Sequence, residues 1–267
     1  MMFSTTSAFI MITLAATATA LEDVGVYIIG GKDASVNKYP SIVQMEERYG
    51  GKWKFKCGAV ILSERTVITA AHCMLITYSN GNYDDVKPRN IRIRAGSSKY
   101  EKGGHIVDVR NYQSHPNFDE ANFNADIALL TLRTRLPMSN ITKTAFIVPS
   151  GLELPNNHAV QVAGWGRTDS SNHSEDLQAV TVYTVKHDEC NRLHGGKITE
   201  NMICAHDGPP YRRGQKNACY KGDSGGPLYM HGMLVGIVSS GSKNCTEQPA
   251  VYTKVSAFTN WINTNAV

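Results

Sequence analysis

Gly222-Asp223-Ser224-Gly225-Gly226-Pro227 is a serine set among glycines. Glycine tolerates positive φ and leaves room for backbone amides to point at a developing oxyanion, so the N–H groups of Gly222 and Ser224 are candidate donors. A serine hydroxyl is a poor nucleophile near neutral pH and needs a base within hydrogen-bond reach. Upstream, Thr69-Ala70-Ala71-His72-Cys73 offers a histidine, and Asn124-Ala125-Asp126-Ile127-Ala128-Leu129-Leu130 offers a carboxylate beside an apolar run. Such a carboxylate holds the imidazole in one tautomer and stabilises the imidazolium. The order His72, Asp126, Ser224 differs from that of α/β hydrolases, in which the serine comes first.

The surrounding chain reads as all-β. Short β-prone runs at Ala59 to Leu62, Val67-Ile68, Ile91 to Ile93, Ile127 to Leu132, Val160 to Val162 and Leu234 to Val238 are separated by Gly, Pro, Asn and Asp. Helical repeats between them, expected of an α/β sheet, are missing. One helix is expected at the end, where Val255, Phe258, Trp261 and Ile262 recur at helical spacing.

Together with Cys57-Gly58, Gly164-Trp165-Gly166 and Val251-Tyr252-Thr253-Lys254-Val255, the three segments make residues from Ile28 onward, about nine tenths of the chain, resemble the chymotrypsin/trypsin family of serine proteases. The resemblance implies two packed six-stranded antiparallel β-barrels with a C-terminal helix, and a cleft between the barrels. It implies a triad of His72, Asp126 and Ser224 acting through an acyl-enzyme, with no cofactor and no metal. It also implies bridges Cys57–Cys73, Cys190–Cys204 and Cys219–Cys245; from the count alone, six cysteines allow fifteen pairings.

Family likeness further implies a precursor, in which cleavage before Ile28 frees an amine that pairs with Asp223. Tyr27 stands where trypsin-activated precursors carry Arg or Lys, so the expected activator cuts after aromatic or large apolar residues; a second molecule of this chain is one candidate. The substrate pocket corresponds to Asn217 at the floor, with Ser239, Gly241 and Ala250 around it. An amide floor lacks the buried charge that a basic side chain needs, so cleavage after uncharged aromatic or aliphatic residues is expected. Two departures bear on this pocket: both Tyr220 and Lys221 lie between Cys219 and Gly222, where the family has one residue, and Ser240 replaces a tryptophan. They keep open the alternative of a feeble or inactive homologue acting as a binding or regulatory protein.

Residues 1–20 carry an apolar stretch from Phe9 to Ala16 and the small residues Ala18-Thr19-Ala20, the pattern of a secretory signal peptide. Threonines at 13, 17 and 19 interrupt any run long enough for a membrane span. Residues 21–27 then read as an activation segment and 28–267 as the protease domain. An even cysteine set fits an oxidising compartment, and extracellular export follows. Net charge is +4, and removing residues 1–27, which hold Glu22 and Asp23 but no Lys or Arg, raises it to +6. The basic residues are dispersed, which argues against nucleic acid. Expected partners are protein or peptide substrates and protein protease inhibitors, with a monomeric chain. Asn140-Ile141-Thr142 and Asn172-His173-Ser174 match the glycan acceptor pattern, as does Asn244-Cys245-Thr246.

Overall fold

The computed structural model describes residues 31–78, 82–166, 171, 173–208, 223–240 and 248–267. Six strands close into the first barrel in the ring order Ile42–Tyr49, Lys52–Ile61, Thr66–Thr69, Ala128–Leu132, His105–Ser114, Ile91–Ala95. A second ring of six runs Gln178–Val185, Ala159–Gly164, Pro227–Met230, Met233–Ser240, Ala250–Lys254, Met202–His206, and the first and last of these pair to close it. Two short strands extend the second barrel, Lys32–Asp33 beside Gln178–Val185 and Phe146–Ile147 beside Met233–Ser240. All six runs read as β-prone lie in these strands, with ends one residue away at Leu62 and Ile127.

Period-2 burial explains the barrels. In Ile91–Ala95 the residues Ile91, Ile93 and Ala95 are buried while Arg92 and Arg94 face outward. Alternation of this kind places one row of side chains in a barrel interior and the other toward solvent. The interior of the first barrel includes Val43, Met45, Ile61, Val67, Ile93 and Leu130, which share one face by register and are all fully buried. That of the second includes Val160, Val162, Val182 and Leu228, each fully buried and on one face by register.

The anticipated helix spans Val255–Asn265 and buries Val255, Phe258 and Ile262. It packs across to the first barrel, where the His115 ring sits 4.9 Å from Phe258 and 5.0 Å from Trp261, centroid to centroid. Burial there lowers the His115 pKa. A second, unanticipated helix, His187–Leu193, is anchored by the bridge from Cys190 to Cys204. The Cys57–Cys73 bridge is also present, whereas Cys219 and Cys245 lie outside the described residues. Among the described residues no helix is long and apolar enough to cross a membrane. Asn140 is exposed and the Thr142 hydroxyl donates to the Pro137 carbonyl; Asn172 and Asn244 lie outside the described residues.

Candidate active site

His72 sits in a 3-10 turn, Ala71–Met74, that follows strand Thr66–Thr69. The Cys57–Cys73 bridge ties this turn to strand Lys52–Ile61. Asp126 lies just ahead of strand Ala128–Leu132 and is fully buried. The two residues meet twice: the His72 backbone N–H donates to Asp126 Oδ1 at 2.8 Å, and His72 Nδ1 lies 2.7 Å from Asp126 Oδ2. A carboxylate only accepts, so Nδ1 carries the proton in this pair and the lone pair is left on Nε2.

The second barrel completes the surroundings of Asp126. Ser239, on strand Met233–Ser240, donates its hydroxyl to Asp126 Oδ2 at 2.6 Å. Thr253, on strand Ala250–Lys254, donates to the Asp126 carbonyl oxygen at 2.6 Å. Three donors therefore converge on one buried carboxylate, the compensation a buried charge requires. Ser239, expected at the substrate pocket, also meets Asp126 with its side chain; Thr253 stands in the sequence only as part of the segment Val251 to Val255.

The loop entering Asp126 is held in uncommon geometry. Phe123 and Ala125 have φ of 59° and 52°, a left-handed region costly for residues with a Cβ. Asn124, between them, accepts from Thr199 Oγ1 at 2.9 Å and from Asn201 Nδ2 at 3.0 Å, both on the second barrel. These bonds offset the strain and hold the carboxylate across the interface. The Phe123 ring meets the His72 ring edge-on at a centroid distance of 5.5 Å.

Ser224 lies in the turn that feeds strand Pro227–Met230. Its carbonyl accepts from Gly58 N at 2.8 Å, and Gly225 N donates to the Val238 carbonyl at 2.8 Å, so both barrels grip the turn. Gly225 has φ of 76°, and a Cβ there would overlap Thr69 Oγ1 and approach the Gly58 oxygen to 2.5 Å. No other residue type fits that approach. No hydrogen bond joins Ser224 Oγ to His72 Nε2 in the uncut chain, a pairing that in such sites often forms only with substrate bound.

Asp223 precedes the serine and is 1% exposed. Its Oδ1 accepts from Gly166 N at 2.8 Å, while Oδ2 has no partner among the described residues. Burial pushes its pKa up to about 7, against the opposing pull of the Gly166 N–H. Gly164 has no side chain because its Cβ would overlap this carboxyl group.

Cys57, His72 and Cys73 place one N and two S atoms within 4.8 Å of one another, but both sulfurs are bonded to each other and offer no thiolate to a metal. Ala250 is half-buried at the start of its strand, paired with Ala205. Ile28, Asn217, Gly222 and Gly241 lie outside the described residues.

The trypsin family profile ("Trypsin") matches residues 28–262. Among curated relatives, "Trypsin" of Phaedon cochleariae is 36% identical over 266 residues, covering 98% of this chain and 97% of the relative. "Trypsin, alkaline A" of Manduca sexta is 34% identical over 245 residues, covering 90% and 91%. A solved structure titled "scabies mite inactivated protease paralogue S-D1" superposes with a TM-score of 0.75 at 26% identity, covering 88% of this chain and 95% of that one. By fold, family profile and full-length likeness to trypsins, this chain belongs to the chymotrypsin/trypsin-like family of serine endopeptidases.

Proposed function

We propose that the protein is an exported endopeptidase, made as a precursor, that cleaves proteins or peptides after uncharged aromatic or aliphatic residues. The observation that carries the catalytic part is the hydrogen-bonded row from Ser239 through Asp126 to His72, with Nε2 left as the base. In this reading His72 Nε2 takes the proton from Ser224 Oγ as that oxygen attacks the scissile carbonyl. The backbone N–H groups of Gly222 and Ser224 stabilise the oxyanion, a contribution of about 3 kcal/mol per donor. His72 then protonates the leaving amine, and water resolves the acyl-enzyme by the same route in reverse.

The specificity rests on Asn217 at the pocket floor, with Ala250 narrowing the wall and a bridge from Cys219 to Cys245 beside it. Residues 1–20 act as the export signal and 21–27 as the activation segment, leaving 28–267 as a monomeric enzyme open to protein inhibitors. A peptide library digested by chain cut to begin at Ile28, next to a Ser224→Ala control, tests this. Cuts after Phe, Tyr, Leu or Met that vanish in the control are expected. Cuts confined to Arg and Lys contradict the pocket assignment, and none at all favours a binding role for the fold.

Activation is read from Asp223. A buried carboxylate with one oxygen unpartnered among the described residues is a receptor for a cation, and cleavage before Ile28 supplies an α-ammonium. With its folded pKa near 7 and an unfolded value of about 3.9, Asp223 of the uncut chain keeps a proton that the unfolded chain loses. Its contribution to stability therefore falls as pH rises from about 4 to 7, by roughly 4 kcal/mol in all. Urea unfolding of the uncut Ser224→Ala chain is expected to show this loss, and Asp223→Asn to remove it. In the cut chain the paired ammonium lowers the Asp223 pKa and the loss disappears. An Asp223→Asn profile parallel to its parent contradicts the assignment.

A further inference from the structure

On the second barrel a groove of about 520 Å³ opens between Lys38, Tyr39, Lys143, Phe146, Tyr229 and Met233. Its floor is rigid. The Tyr229 hydroxyl shares a buried 2.6 Å hydrogen bond with Ser41, the Tyr39 ring stacks on Tyr229 at 5.9 Å, and Tyr39 donates to Gln161 Oε1 at 3.2 Å. Its rim carries the exposed amines of Lys38 and Lys143 and a Phe146 ring 77% exposed. No carboxylate is among the described residues that line it. A single exposed phenylalanine is unremarkable, but one beside an apolar trough with two cations that pair with no carboxylate among the described residues, Lys38 lying over the Tyr39 ring at 5.3 Å, fits an acidic, apolar peptide.

This chain carries such a peptide close by. Residues 21–27, Leu-Glu-Asp-Val-Gly-Val-Tyr, combine two adjacent carboxylates with Leu21, Val24, Val26 and Tyr27. The strand direction aims the preceding chain toward the groove. Lys32 pairs with Ala179 and Asp33 with Gln178, so positions before Lys32 head toward the level of Thr181. Thr181 pairs with Gln161, which pairs with Tyr229, and both of these line the groove. Successive strands are about 4.8 Å apart, which puts Tyr229 about 14 Å across the sheet from the line of Lys32. Residues 21–27 lie four to ten positions before Gly31, and at about 3.3 Å per residue that tether reaches about 13 to 33 Å.

We propose that residues 21–27 dock in this groove before cleavage, with Glu22 and Asp23 facing Lys38 and Lys143, and that docking shields the Tyr27–Ile28 bond. The proposal rests on the reading of 21–27 as the activation segment. No cysteine lies in 21–27, so cleavage removes the only covalent tether and the segment leaves. The groove is thus a brake on activation that the cut itself releases.

The test uses the full chain carrying Ser224→Ala, with a photo-reactive benzophenone amino acid in place of Val24. Irradiation is expected to cross-link position 24 to residues 143–146 or 229–233, located by peptide mass mapping. Lys38→Glu with Lys143→Glu is expected to lower that yield at least fivefold. The same pair is expected to speed cutting at Tyr27–Ile28 by an added aromatic-specific peptidase about fivefold, scored by N-terminal sequencing; Lys38→Gln with Lys143→Gln gives a smaller change in the same direction. Cross-links elsewhere, no cross-links, or a cutting rate unchanged by charge reversal overturn the proposal. If cutting the parent chain without Ser224→Ala at Tyr27–Ile28 yields no activity, the activation reading fails while the cross-link result still decides the docking.

Discussion

Ser224→Ala in chain cut to begin at Ile28 is expected to lower kcat on the order of 10⁵ to 10⁶ while KM changes less than about threefold, the loss typical when the nucleophile of a serine endopeptidase is removed. Among the described residues of the turn, none offers a second nucleophile. Gly225 and Gly226 have no side chains, and Asp223 is turned inward with Oδ1 on Gly166 N. The fold should be unaffected, because the turn is held through backbone atoms, by Gly58 N on the Ser224 carbonyl and Gly225 N on the Val238 carbonyl. Burst titration with an active ester separates the causes: the parent shows a stoichiometric burst and the variant shows none. Adding His72→Ala to Ser224→Ala is expected to cost little more, because the two side chains act as one unit.

Asp126→Asn is the second large effect, a loss in kcat of about 10⁴ near neutral pH, the factor this exchange produces in the template enzyme of the mechanism. The geometry gives the reason. Oδ1 accepts from the His72 backbone N–H, and Oδ2 accepts from both His72 Nδ1–H and the Ser239 hydroxyl. An amide has one oxygen, and the His72 N–H claims it. The NH₂ then occupies the place of Oδ2 and donates to Nδ1, which moves the imidazole proton to Nε2 and leaves no base facing the serine. Ser239→Ala keeps the carboxylate and the tautomer, so its loss in kcat is expected to stay within about tenfold. Comparable losses in the two variants would contradict this account of Asp126.

Sequence alone exposed the parts of the fold where burial is continuous or periodic. Val160 to Val162 reads as a strand through alternation about Gln161, and Leu234 to Val238 through a continuous apolar run buried on both faces. Strand Ile42–Tyr49 shows no alternation because its outward row, Gln44 and Glu46, is buried as fully as the inward Val43 and Met45. That carboxylate is held by Arg92 and Arg94 from the adjacent strand, each at 2.6 Å, a pairing that hydrophobic pattern cannot reveal. Strand His105–Ser114 was hidden because only Val107 and Val109 are buried along it.

The site divides in the same way. His72, Asp126 and Ser224 are legible because their neighbours in sequence are diagnostic, and Cys57–Cys73 and Cys190–Cys204 followed from the resemblance. Thr253, Asn124, Thr199 and Asn201 were not, because each acts through a contact with a distant segment. The positive φ at Phe123 and Ala125 carries no glycine signal to announce it. A threonine or asparagine in a loop is common, and only the approach of the two barrels gives these their partners.

Cutting before Ile28 is expected to make Ser224 a nucleophile with His72 as its base. The most direct measurement is intact mass of the cut chain after exposure to an organophosphonate, followed by peptide mapping. One adduct per chain, on Ser224, is predicted, absent from the uncut chain and from His72→Ala. A correctly cut and folded chain that stays unlabelled, or that is labelled at any other residue, would contradict it.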